Sequence, residues 1–214
     1  MAGVIMHKRH HYGRKKLKNV RLFKVAFAAS IAIAFAPIQF AAAQDYQAPA
    51  TNNIVVGSAG YSIAFPRGEE STETVDGNDV HYIDYYFPNV AGSDVALSMG
   101  LNPAICGGGS INDWASINDM KSRISGLEEQ NAKNSPTTTV SDIEVFNINN
   151  FYGVSVKVSA VHPDYGRIDS NLVNFCHNGY QIQIMEAYPE SASDSDRSTI
   201  DAVYNTALKT IEFH

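Results

Sequence analysis

After residue 43, apolar and polar positions alternate with period two through most of this chain, and the period lengthens to about 3.6 in only two places. Tyr61, Ile63 and Phe65 alternate within Gly60–Pro66, which predicts a half-buried strand ended by proline. A charged stretch with an Asp76-Gly77 turn signal leads to a second strand over Val80–Phe87, with Ile83, Tyr85 and Phe87 on one face. Asp94–Leu101 reads as a third strand, closed by Asn102-Pro103. Ile111, Trp114, Ile117, Met120, Ile124 and Leu127 then recur at steps of three or four, the stripe of a helix of about five turns. Ser110 suits its N-cap, Asp113 its acidic first turn, and Gly107–Gly109 a hinge before it. The same three glycines at a helix start could offer backbone amides to an anion, but no basic side chain follows until Lys121.

Four strands follow a polar loop at Asn131–Thr139: Val140–Ile148, Phe151–Val161, Ile168–Cys176 and Tyr180–Tyr188. Val154, Val156, Val158 and Ala160 stand opposite Ser155, Lys157 and Ser159, so one face of that strand is apolar and the other polar. Asn178-Gly179 signals a tight hairpin. Ile200, Val203, Tyr204, Ala207 and Leu208 place a second helix on a sheet, and Thr210–Phe213 can close as a short strand. The order β-β-β-α-β-β-β-β-α-β predicts an α+β fold: a mainly antiparallel sheet of about seven or eight strands with two helices packed on it.

The first 43 residues change the picture of charge and location. A basic stretch (Lys8 to Lys24) runs into the apolar segment Val25–Phe40, then into Ala41-Ala42-Ala43 and Gln44. These are the three parts of a secretory signal peptide, with cleavage expected between Ala43 and Gln44. The apolar segment is sixteen residues, short of the roughly 20 that a spanning helix needs, so no stable membrane span is expected after cleavage. The expected organisation is a cleavable leader (1–43), a flexible linker (44–58) and one globular α+β domain (59–214), exported to the periplasm or the extracellular space.

All 22 acidic side chains but only eight of the 16 basic ones lie beyond residue 43, so the mature chain has a formal charge of −14. That charge disfavours nucleic acid and anionic lipid as partners. The pattern carries no signal for oligomeric state.

Cys106 and Cys176 are the two cysteines, 70 positions apart. In an oxidising compartment such a pair forms one disulfide, with Cα atoms within about 7 Å. The rival reading is a reactive or metal-binding thiol beside His177, but neighbours on a strand point to opposite faces.

Candidate chemistry is sparse. His162 and Asp164 at a strand end pair an imidazole with a carboxylate, the ingredients of a small hydrolase, although Pro163-Asp164-Tyr165-Gly166 is also an ordinary turn. Glu190 with Asp194 and Asp196, and the turn Asp76–Asp79, carry oxygen ligands suited to Ca²⁺. His81, His162 and His177 could meet Zn²⁺ only if the fold gathers three distant segments. No cofactor motif is present, and no cofactor or metal is expected. Tyrosines left on a surface, with Tyr85, Tyr86, Tyr165 and Tyr188 as candidates, could bind a protein or a glycan.

Three segments carry a family resemblance: Gly60–Pro66, Asn178-Gly-Tyr180 leading to Ala187-Tyr-Pro-Glu190, and Leu208–Phe213. Together they resemble the packing motifs of the PsbP-like α/β/α sandwich superfamily, in layout from Gly60 to Phe213. The cysteine pair is not part of that pattern, and the tryptophan common after the first motif is missing. The resemblance implies an accessory or binding protein without catalytic machinery. With the export signal, it points to a non-enzymatic partner of another protein or an envelope component, with a small hydrolase or a Ca²⁺- or Zn²⁺-binding protein as the alternative.

Overall fold

Seven antiparallel strands form the main sheet, in the order β3-β4-β5-β9-β8-β7-β6, and a three-stranded sheet, β1-β2-β10, packs beside helix α3 on one of its faces. The computed structural model describes residues 49–75, 77–106, 114–134, 137–149 and 151–214. The expected cleavage site at Ala43 and Gln44, Asp76, the glycines 107–109, Ser110 and Asp113 lie outside these residues.

The strands are β1 (Thr51–Val56), β2 (Tyr61–Pro66), β3 (Glu69–Val75), β4 (Asn78–Tyr86), β5 (Asp94–Leu101), β6 (Thr139–Ile148), β7 (Phe151–His162), β8 (Gly166–His177), β9 (Tyr180–Pro189) and β10 (Glu212–Phe213). The helices are α1 (Pro103–Cys106), α2 (Trp114–Asn134) and α3 (Asp194–Lys209).

The period-two faces pack as their alternation requires. Tyr61, Ile63 and Phe65 of β2 are fully buried, and they meet Ile83, Val95, Leu97, Phe175, Ile182 and Ile184 of the main sheet. The α3 stripe from Ile200 to Leu208 is buried in the same core. Ser193 caps α3, exchanging hydrogen bonds with Asp196 in a capping box. Ile117, Met120 and Ile124 of α2 are buried on the opposite side, against β6 and β7. At the β8–β9 hairpin, Asn178 and Gly179 both have positive φ (48° and 79°), the backbone of a type I′ turn.

Four elements depart from the sequence reading. Thr51–Val56, within the stretch read as linker, is a strand in full register with β2. Glu69–Val75 pairs along its length with β4. Both are edge strands with largely exposed residues, so neither carries an apolar alternation to be read. Helix α2 also continues to Asn134, into the expected loop, and the short α1 precedes it.

Cys106 and Cys176 form a disulfide with Cα atoms 5.3 Å apart. It joins the end of α1, which follows β5 directly, to β8, with β9 between those strands. Beside it lies a buried amide ladder on the α2 face. Asn102 Nδ2 donates to Gln181 Oε1 (2.7 Å), and Gln181 and Gln183 both donate to Asn174 Oδ1 (2.8 and 3.0 Å). The alternation in β9 would put these glutamines in water, but the strand is central and both its faces are covered. Asn174→Ala is expected to cost roughly 1–3 kcal/mol, because two buried N–H donors lose their acceptor. Urea unfolding measures it, and a loss within experimental error would mean that water repairs the ladder.

Candidate functional site

The polar face of β7 remains open where α3 ends its cover. Helix α3 packs on β9, β5 and β2, and among the described residues no helix covers the outer strands on that side. The result is a cleft of about 530 Å³ between α3 and the β6–β9 part of the sheet. Ser155 and Lys157 of β7, Asn171 of β8, Glu186 and Tyr188 of β9, and Asp201, Tyr204 and Asn205 of α3 line it. A bulge in β6 between Ser141 and Glu144, with Asp142 at φ 50°, turns Asp142 and Glu144 to its rim. Asp142 pairs there with Lys157 at 3.1 Å, with both side chains more than half exposed.

Glu186 is the chemical centre of this cleft. It continues the inward series Tyr180, Ile182, Ile184, so the strand's own period directs a carboxyl under α3. The residue is 3 % exposed. Its Oε1 accepts a hydrogen bond from Asn171 Nδ2 at 2.6 Å; the carboxyl also shares a side-chain hydrogen bond with Asp201, and no N–H or hydroxyl donor reaches Oε2 among the described residues. Burial pushes the carboxyl up to about 8; the Asn171 hydrogen bond opposes this, and Asp201 adds to it by its charge and by a side-chain hydrogen bond. Glu186 is therefore protonated and neutral at pH 7.

The aromatic walls are Tyr188 and Tyr204. Both hydroxyls are raised above the ordinary tyrosine range, first by burial and then by the charge of Glu186. Arg197 lies over the Tyr188 ring, 5.3 Å from its centroid, and donates to the carbonyls of Ala192 and Glu190.

Of the candidate tyrosines, Tyr188 alone lines the cleft. Tyr85 packs edge-on against Phe87 at the margin of the core, and Tyr86 lies half-buried on the other face of β4. Tyr165 stacks on His162 (4.8 Å) and closes on Gly92, where a Cβ would meet its ring at 2.8 Å. His162 and Asp164 do meet, but the contact is the Asp164 backbone N–H donating to His162 Nδ1 (3.1 Å). The nitrogen that an orienting carboxylate would hold is thus used to shape the turn.

The metal candidates are dispersed. His81 on β4 bonds Thr72 on β3, His162 lies at the β7–β8 turn, and His177 lies at the far end of β8 among Phe151 and Phe213. Asp196 is engaged in the α3 cap, and Asp79 accepts from Thr74. Among the described residues, no three His, Cys, Asp or Glu side chains are grouped to hold an ion. Among the same residues, no helix is long and apolar enough to cross a membrane.

No protein-family model and no curated protein matches the chain. Solved structures do resemble it. CyanoP, the cyanobacterial PsbP of Synechocystis sp. PCC 6803, is 10% identical with a TM-score of 0.50, over 81% of this chain and 98% of that one. The chain has a PsbP-like fold. LpqN of Mycobacterium tuberculosis, involved in cell envelope biogenesis, is 12% identical over 78% of this chain and 84% of its own, with a TM-score of 0.32. The immunity protein TplEi of Pseudomonas aeruginosa is 9% identical over 78% of this chain and 55% of its own, with a TM-score of 0.39.

Within this PsbP-like fold, the three motif segments of the sequence are β2, the hairpin into β9, and the end of α3 with β10. They are chiefly packing elements, and they reach the cleft through Tyr188 and Leu208. Glu186, Asp201, Asn171 and Tyr204 escaped the sequence reading as site residues. The one available signal was a glutamate at an inward position of an apolar strand.

Proposed function

We propose that this protein is exported, loses its leader between Ala43 and Gln44, and acts by binding another protein or an envelope component at the cleft under α3 rather than by catalysis. The observation that supports this reading is the cleft itself: it is concave, walled by two tyrosines, rimmed by Asp142 and Glu144, and sized within the roughly 300–1,000 Å³ of ordinary ligand sites. The three-part leader and the disulfide fit an oxidising compartment. The turn-forming contact between His162 and Asp164 gives the hydrolase alternative no support.

The test uses the full chain, exported and recovered from the envelope fraction after crosslinking. Its mature N-terminus should be Gln44 by mass spectrometry. Asn205 is an exposed α3 residue on the cleft wall, so Asn205→Trp fills the cleft without entering the core. A partner captured by the wild type should be lost from this variant. Equal capture by both proteins, or turnover of an ester or peptide substrate that the plug abolishes, overturns the proposal.

A further inference from the structure

Resting on the binding reading above, we infer that the cleft receives an organic cation, a primary ammonium or a guanidinium group, against the carboxyls of Glu186 and Asp201 and between the rings of Tyr188 and Tyr204. Four observations converge on that chemistry. The first is the carboxyl pair at the cleft wall: Glu186, 3 % exposed, shares a side-chain hydrogen bond with Asp201, and no N–H or hydroxyl donor reaches its Oε2 among the described residues. Once the shared proton leaves, both carboxyls are acceptors, and a cationic donor can take its place. The second is that the amide and the two basic side chains nearby are already engaged: Asn171 holds Oε1, Lys157 is drawn to Asp142 at the rim, and Arg197 is spent on two carbonyls and the Tyr188 face.

The third is the sign of the charge. Asp201 from α3, and Asp142 and Glu144 from β6, face the cleft against one lysine, and the mature chain carries eight basic against 22 acidic side chains. Such a field concentrates cations and repels anions. The fourth is the aromatic wall, since an ammonium or guanidinium set on tyrosine rings gains from their quadrupoles. A metal ion is a poorer match, because among the described residues no three ligating side chains come together.

Binding and protonation are then linked. Glu186 carries a proton at neutral pH, held there by burial and by the Asp201 charge, and an incoming cation favours the carboxylate. The other charged groups around it are Asp169 on β8, engaged by Ser159 and Arg167, Lys157 with Asp142, Glu144, Asp201 and Arg197. Cation uptake below pH 8 should therefore release a proton from Glu186 to solvent.

Calorimetric titrations of the disulfide-bonded exported protein with n-butylammonium, n-butylguanidinium and a blocked Ala-Lys-Ala peptide test this, with n-butanol as the neutral control. Each titration is run in two buffers of different ionisation enthalpy. The expected result is cation binding with nearly one proton released at pH 7. Affinity should rise up to tenfold per pH unit from pH 6 to 8, then level off. Glu186→Gln should abolish the proton release and the pH dependence, and Asp201→Asn should weaken binding about tenfold, with both variants retaining the wild-type circular dichroism. Binding of the peptide as well as the amine assigns the source to a basic side chain; binding of the amine alone assigns it to a small molecule. No cation binding, or binding indifferent to both substitutions, overturns the inference. If a partner is still captured in a cleft-dependent way, that failure leaves the binding reading standing. Cation binding without any captured partner supports the inference and removes the macromolecular partner.

Discussion

Replacing Cys106 or Cys176 by serine is expected to lower the stability of the exported protein by roughly 2–5 kcal/mol. The two cysteines close a loop of 70 residues, and in the chain-entropy model that crosslink restricts the unfolded ensemble by about 4 kcal/mol at 25 °C. The bonded Cα atoms are 5.3 Å apart, inside the ordinary range, so the native backbone accommodates the bond without displacement. Both residues are buried, and the bond pins α1 beside the ladder of Asn102, Gln181 and Asn174. Chemical denaturation of oxidised and reduced wild type, with each serine variant, measures the effect. The reduced wild type and the variants should unfold alike and earlier than the oxidised protein. Two alkylatable thiols in the exported protein, or equal midpoints with and without reductant, would refute the structural role.

Stability should also fall as pH rises from about 4.5 to about 8, through Glu186. In the unfolded chain this carboxyl ionises near its ordinary value of 4.5, whereas in the folded protein it holds its proton to about 8. Between those values the native state binds more protons than the unfolded state, so every rise in pH favours unfolding. Below about 4.5 both states are protonated and the group contributes no slope; above about 8 both are ionised and the penalty is complete. At pH 7 the loss relative to low pH is roughly 3 kcal/mol if most of the shift is realised. Other carboxylates titrate in the acid part of this window, so the informative quantity is the difference between wild type and Glu186→Gln across pH 5 to 8.5. Glutamine keeps the shape and cannot ionise. Its advantage should grow with pH and level off above 8. Parallel stability curves for the two proteins would show that Glu186 is ionised in the native state and that the cleft is wetter than its burial implies.

The same residue marks where sequence reading stops. Alternation in β9 placed Tyr180, Ile182 and Ile184 inward, and simple continuation of that period places Glu186 beside them. Whether an inward glutamate meets a helix, a partner or water depends on where α3 stops covering the sheet, and no local pattern encodes that. Asp201 is a similar case: it follows the buried Ile200 on a helix whose apolar stripe was legible, yet its position at the cleft depends on how α3 lies across β9. The tyrosines show the converse. Tyr85, Tyr86, Tyr165 and Tyr188 look alike as sequence, but the fold spends Tyr85 on packing and Tyr165 on a turn, and places Tyr188 at the cleft.

By itself the sequence determined the strands with an apolar face, the two helices, the hairpin at Asn178-Gly179 and the α+β class, because periodicity and turn chemistry are local consequences of residue type; the PsbP-like layout was legible only as the resemblance of three motif segments. Edge strands β1 and β3 were beyond it, since their pairing is a backbone property and their side chains stand in solvent. The Cys106–Cys176 bond was legible as the single cysteine pair, but its span across β9 and the burial of Gln181 and Gln183 were decided by strand order, which brings together segments tens of residues apart. The cleft was decided in the same way. Its acids and rings come from β6, β9 and α3, and they face one another because α3 covers the centre of the sheet and, among the described residues, stops short of its β6–β7 side.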